Sequence, residues 1–347
     1  MTLKEMIISL CSIPGPSGFE DKAADACIKM LTPYADTIET DSMGNVFAWR
    51  RCGRADAKLL MLTAHLDEIG LIVTGYEGGF LRFDALGGVD GRMLPASDVT
   101  ILTEPPIKGV IGTAPVHVLS AQEQNKPIPI KKLFIDTGLS PEETRARIPL
   151  GTPAVISGGA HALGQDKICG KSLDDRACAA VLIKVMEELS DIQLDVDICL
   201  MLAVQEELGY RGATTGTFRV QPDYCIAADV THGCTPDGNK AGTFPLGKGV
   251  AVGAGPNMHR GFTSLIKSTA DDEGIPYSIE VLSRSSGTDA WAVQISRTGV
   301  ITGLVSLPLR YMHTPVEVIS MSDADALLKL LRLLAVKVGS GEETYHA

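Results

Sequence analysis

No two cysteines in this 347-residue chain stand in a C-x-x-C spacing; the eight, at positions 11, 27, 52, 169, 178, 199, 225 and 234, are scattered, mostly among small or apolar neighbours. That argues against a cysteine-built zinc site and reads as buried, reduced thiols. Any metal must then be held by histidine and carboxylate. Basic clusters are missing too: 31 Lys and Arg face 42 Asp and Glu, a formal charge of -11, which argues against nucleic acid as the principal partner. The chain is 45% hydrophobic, yet no apolar run is long enough to cross a bilayer. Its opening residues, MTLKEMIISLCSIPGPSGFED, meet acids too soon to resemble a signal peptide. A soluble cytoplasmic protein without membrane contact is expected. There is no repeat and no low-complexity segment. A full G-x-G-x-x-G is also absent: GAGPNMHR puts Pro256 where phosphate-cradling amides would be needed, which argues against a dinucleotide site. Ser285 and Ser286, in RSSGTDAW, lie in no G-x-S-x-G elbow and make poor nucleophiles.

What is present begins with length. A chain of this size exceeds the point at which one core usually stops growing, so one large domain or a domain carrying an insertion is expected. Helical patterns cover residues 2 to 12 and 19 to 32, with Pro14, Gly15, Pro16 and Gly18 as breakers between them. Strand patterns follow at VFAWR and KLLMLTAHLD, the second a nearly continuous apolar run ending in polar residues, as a buried parallel strand would. From 67 to 164 the pattern changes to short β-rich pieces, IGLIVTGYE, GFLRFDAL, DVTILT and GVIGTA, without a convincing long helix. That reads as a small β-barrel or sandwich inserted into the chain. Afterwards strands and helices alternate: a helix at 174 to 189, VDICLMLAVQ, a helix near 211 to 219, YCIAADV, GVAVGAG, GVITGLVSL and a last helix at 322 to 339. The fold class expected is α/β, a mostly parallel sheet flanked by helices. Residues 1-66 and 165-347 form the main domain and 67-164 the inserted one.

In an open α/β sheet the crevice lies at the carboxyl ends of the strands. Four such ends carry ligand-type residues: His65 and Asp67 after KLLMLTA, Glu206 and Glu207 after DICLMLAVQ, Asp229 after YCIAA, and His313 after GLVSLPLRYM. Asp174 and Asp175 open a helix, where unpaired amides can orient carboxylates. Each has a bland reading, as a structural histidine, an N-cap or a solvated glutamate pair. The conjunction does not, because acids directly after an apolar strand are costly to bury unless paired or bound to a cation. Two divalent ions roughly 3.5 to 4 Å apart can polarise an amide carbonyl and hold a hydroxide. Such a centre needs a carboxylate spanning both ions, histidine and carboxylate on each side, and a free carboxylate to take a proton. The sequence supplies all of these.

The strings AHLDEIG, KSLDDRAC, VQEELGYRGA, AADVTH and YMHTPVEV, in this order over nearly the whole chain, resemble those of the TET-type metalloaminopeptidases. That family includes glutamyl and deblocking aminopeptidases and some proteins labelled endoglucanases. The resemblance implies hydrolysis of N-terminal residues from peptides by a water bridging two metal ions, zinc or cobalt, with manganese also compatible. It implies that His65, Asp174 and Asp229 hold one ion and Asp174, Glu207 and His313 the other. Glu206 would be the general base, Asp67 would orient His65, and the Asp174-Asp175 peptide would be cis. The inserted segment would be a PDZ-like barrel used to build dimers and then hollow dodecamers. Arg260 and Gly287 are candidate substrate contacts, the first beside the GAGPNMHR turn and the second in a loop beside the site. A glycoside hydrolase, a dizinc deacylase and a non-catalytic assembly protein are the alternatives.

Overall fold

The structure, a computed structural model, describes residues 1–118, 120, 126–239 and 241–339. Its main sheet has eight strands: β1 (Thr37–Thr40), β2 (Val46–Arg50), β3 (Leu59–His65), β12 (Asp197–Ala203), β13 (Tyr224–His232), β14 (Val250–Ala254), β15 (Tyr277–Val281) and β16 (Ile301–Leu309). Their order across the sheet is β1-β2-β12-β3-β13-β16-β14-β15. The four central strands, β12, β3, β13 and β16, run parallel, as does the β14–β15 pair. Antiparallel joints flank that centre, where β2 meets β12 and β14 meets β16.

Alternation along the strands sorts the core into two layers. Leu60 and Leu62 of β3, with Ile198, Leu200 and Leu202 of β12, face a large cluster. It is built with α1 (Leu3–Cys11), α2 (Asp21–Leu31), α4 (Leu173–Leu189), α6 (Arg260–Asp272) and α8 (Met321–Gly339). Met61, Cys199 and Met201 face the other way, onto α5 (Arg211–Val220) and α7 (Ala290–Val293). Covered on both faces, the central strands must be apolar throughout, which is why they read as unbroken hydrophobic runs. Helix α4 is buried on nearly every side and lies at the centre of the larger layer. Its Arg176 is fully buried. The guanidinium donates to Leu66 O, to Leu10 O at 2.8 Å and to Ile13 O at 3.0 Å, tying the end of α1 and the strand end after His65 to α4.

Between β3 and α4 the chain forms a closed six-stranded barrel, β4 (Gly70–Glu77), β5 (Phe80–Leu86), β6 (Asp98–Ile101), β7 (Ile107–Gly112), β8 (Phe134–Asp136) and β9 (Pro153–Ile156). It has its own core of residues such as Leu71, Leu81, Phe83, Val99 and Ile135. A short helix, α3 (Pro141–Arg147), sits within it, started by a capping box in which Ser140 and Glu143 satisfy each other's amides. A three-stranded sheet of β10 (Ala160–Leu163), β11 (Lys167–Gly170) and β17 (Glu317–Ser320) then rejoins the main domain. The barrel strands thus end at Ile156, and Ala160–Leu163 already pairs outside the barrel.

Candidate metal centre

The predicted residues converge at the carboxyl ends of the parallel strands. His65 closes β3, Glu206 and Glu207 follow β12, Asp229 lies in β13, and His313 follows β16. Asp174 comes from the first turn of α4, where the Asp174-Asp175 peptide is cis. His65, Asp174, Asp229 and Glu206 are all buried. Together with Glu207, His313 and Gly287 they line a cavity of about 800 Å³.

Asp174 stands between the two imidazoles, one oxygen 3.1 Å from His65 Nε2 and the other 3.4 Å from His313 Nε2. His313 Nε2 is also 3.1 Å from Glu207 Oε1, and His65 Nε2 is 3.9 Å from Glu206 Oε2. On the opposite edge of each ring, Nδ1 meets an acceptor. His313 Nδ1 lies 2.9 Å from Gly88 O, at the end of β5, and His65 Nδ1 lies 3.2 Å from Asp67 O and 3.4 Å from Asp67 Oδ1. Acceptors at Nδ1 put the proton there and leave both Nε2 atoms as ligands turned to the acids.

Asp67 organises the strand ends. Fully buried, it accepts from the amides of Glu206 at 3.0 Å and Glu207 at 3.1 Å and from the Ser17 hydroxyl. Burial opposes its ionisation, but His65, Ser17 and the Glu206 amide hold its carboxyl below the ordinary range. A second organiser escaped the sequence reading. Glu317, at the start of β17, accepts from the amides of His313 at 3.0 Å and Asp174 at 3.2 Å. In sequence it is one more acid before a short apolar run, and only the three-stranded sheet brings it under both ligands. Gly87 and Gly88 carry no signal of their own in the sequence. A Cβ on Gly88 would stand 2.6 Å from His313 Nδ1, and one on Gly87 would stand 3.1 Å from Glu207 Oε2.

The donors fit divalent cations. Ligand atoms of Asp174, Glu207 and His313 lie within 4.8 Å of one another, as do those of His65, Asp175 and Asp229, and of His65, Glu206 and Glu207. Without a cation the acids compete. Burial, reinforced by the charges of Asp229, Asp289 and Glu207 and opposed by His65, pushes Glu206 up to about 10. Burial likewise pushes Asp229 well above the carboxylate range. For His313, burial pulls the pKa down, but Asp174 and Glu207 more than offset it and lift the imidazole to about 11. Two imidazoles facing this many carboxylates leave an excess of buried negative charge, the field a dication relieves.

Arg260 is not brought to this cavity. It opens α6 and lines a separate pocket of about 660 Å³ with Met258, Gln294 and Val300. The turn after β14 leads it away, because α6 packs on the helical layer shared with α8.

Residues 44–330 match the profile of the M42 glutamyl aminopeptidase family. A lysyl aminopeptidase of Pyrococcus furiosus is 32% identical over 336 residues, spanning 95% of this chain and 96% of its own. Among solved structures, a TET aminopeptidase from a marine sediment archaeon of the Thaumarchaeota superposes with a TM-score of 0.92 at 27% identity, covering 97% of both chains. The TET1 peptidase of Pyrococcus horikoshii, which can assemble into a tetrahedron or a large octahedral shell, superposes with a TM-score of 0.85 at 31% identity, over 97% of this chain and 100% of that one.

Proposed function

The chain belongs to the M42 glutamyl aminopeptidase family, and from that premise we propose that it is a two-metal aminopeptidase releasing residues from the free N-termini of short peptides. The observation that carries the reading is Asp174, a single carboxylate offering one oxygen to each of two imidazoles. His65, Asp174 and Asp229 hold one ion in this reading, and Asp174, Glu207 and His313 the other. Nitrogen and oxygen donors suit zinc or cobalt and accept manganese. Bound there, the ions supply Lewis acidity and lower the pKa of water.

The chain's own part is positioning and proton transfer. Glu206 takes the proton of the attacking water and returns it to the amine nitrogen as the peptide C–N bond breaks. Asp67 keeps His65 oriented while fixing both glutamate amides, and the Gly88 carbonyl does the same for His313. A glycosidase would instead need two carboxylates opposed across the bond, whereas Asp174 has an imidazole on either side. The insertion at 67-164 serves assembly into dimers and then a dodecamer, supported by the shells formed by the Pyrococcus horikoshii relative. A cytoplasmic setting is in keeping with the finding that no helix among the described residues is long and apolar enough to cross a membrane.

The test is release of an amino acid from aminoacyl reporters, its loss on chelation, and its return with zinc, cobalt or manganese. A peptide and its N-acetylated form are compared alongside. Equal cleavage of the two would sink the free-amine reading, and sugar release from cellulose would favour the glycosidase.

A further inference from the structure

Strand β13 does not end its contribution at Asp229. Asp229 and Thr231 are two residues apart and so project from the same face, about 7 Å apart along the strand. The Thr231 hydroxyl donates to Glu280 Oε1 at 2.6 Å. Glu280 comes from β15, at the edge of the sheet, and lines the same cavity as His65, Asp174 and His313. Among the described residues no lysine or arginine lines that cavity, and none forms an ion pair with Glu280. This carboxylate stands on a different strand from Asp229, beyond the ligand cluster, and what faces it is the hydroxyls of Thr231 and Ser306 and the imidazole of His232 rather than a lysine or arginine.

We propose that Glu280 selects the side chain of the N-terminal residue and that the class selected is basic, lysine or arginine. The proposal rests on the aminopeptidase reading. With the scissile bond beside the metal ligands, the first side chain extends along the wall that carries Thr231 and Glu280. A lysine ammonium reaches about 6 Å from its Cα by ordinary bond lengths, which matches the step from Asp229 to Thr231. An N-terminal glutamate or aspartate would meet a like charge at Glu280, with no lysine or arginine among the described lining residues to pair with it. The family's glutamyl name therefore does not carry over to this chain.

The test compares kcat/KM for lysyl, arginyl, leucyl and glutamyl reporters with the metal-loaded full chain, Glu280→Gln and Glu280→Lys. The native protein should favour lysyl and arginyl and be poorest on glutamyl. Glu280→Gln, which keeps an acceptor for Thr231, should lose about 10- to 100-fold on lysyl, as expected for losing a charge-assisted hydrogen bond, and keep its leucyl rate. Glu280→Lys should raise the glutamyl rate above native. A native preference for leucyl or glutamyl, or an equal loss on all four reporters in Glu280→Gln, overturns the proposal while the aminopeptidase reading stands. Hydrolysis of none of the four by the native metal-loaded protein overturns both.

Discussion

Replacing Gly88 with alanine places one methyl group against the ring of His313. The new Cβ would lie 2.6 Å from Nδ1 and 2.9 Å from Cε1. Ordinary carbon contacts are about 3.5–4.0 Å, so the imidazole must retreat by roughly 1 Å. Retreat breaks the 2.9 Å bond to the Gly88 carbonyl or pulls Nε2 from its positions 3.1 Å from Glu207 and 3.4 Å from Asp174. Losing the partner that orients a ligating histidine costs about 10- to 100-fold in metal affinity, or about 1.4–2.8 kcal/mol at the tenfold equivalent of 1.4 kcal/mol. Competitive titration of zinc against a chromophoric chelator would resolve the two sites. In Gly88→Ala the site with His313 should weaken by that factor, the site with His65 should hold, and the metal-free melting temperature should barely move. Gly75→Ala in the same barrel, whose Cβ would meet only Arg82 Cβ at 3.6 Å, should bind zinc as the native protein does. Native affinity at both sites of Gly88→Ala would refute the claim that the barrel orients His313.

Glu206→Gln should keep both ions and the assembly while lowering turnover by about 10²–10⁴-fold, the usual worth of a positioned proton carrier; Glu207→Gln should instead release one ion, read by metal analysis after dialysis. Near-normal turnover in Glu206→Gln would remove it from the proton path. Arg176→Met should destabilise the fold by about 3 kcal/mol in urea unfolding, because the buried carbonyls of Leu10 and Leu66 and the part-buried one of Ile13 each lose a donor. A thiol reagent at neutral pH should label Cys52 and Cys234 in the native protein and leave the six buried cysteines until it unfolds. For Cys11 and Cys27, burial pushes the thiols up to about 12, so exposure and thiolate are lacking together. Rapid native labelling of Cys11 or Cys27 would contradict the packing of α1 and α2.

The strand ends were legible because their physics is local. LLMLTAH and DICLMLA are apolar on both faces, and an acid or histidine placed immediately after such a strand stands at the crevice whatever its partners are. The parallel centre of the sheet followed from the same runs, but its antiparallel joints did not: VFAWR and VAVGA show a strand pattern without a direction, and the edge strands TIET and YSIEV are short, largely exposed and carry little pattern. Arg176 was illegible for the opposite reason. Arginine in the first turn of a helix reads as a surface charge, and only long-range carbonyls make it a core residue. Gly88, on a barrel loop, lies far in sequence from His313, and Glu317, though only four residues from His313, lies far from Asp174, so its role in holding both ligands shows only in the fold. Arg260 shows the limit of proximity arguments, since a strand end fixes where a turn begins but not the layer in which the next helix packs.

Left-handed backbone concentrates where the ligands are. Of the eight non-glycine residues with positive φ among the described residues, five flank the metal-binding segments: Ser172 before Asp174, Gln205 before Glu206, Tyr210 after Glu207, and Tyr311 with His313 itself. Each costs roughly 1–2 kcal/mol relative to ordinary helical backbone, so the same few turns that aim the ligands also weaken the fold. Efforts to raise the melting point of this protein will find their easiest gains at these positions, Gln205→Gly first among them. Those gains come from loosening the ligand turns, so a thermal-shift screen run without an activity screen would steer the chain toward a hardier protein that hydrolyses less.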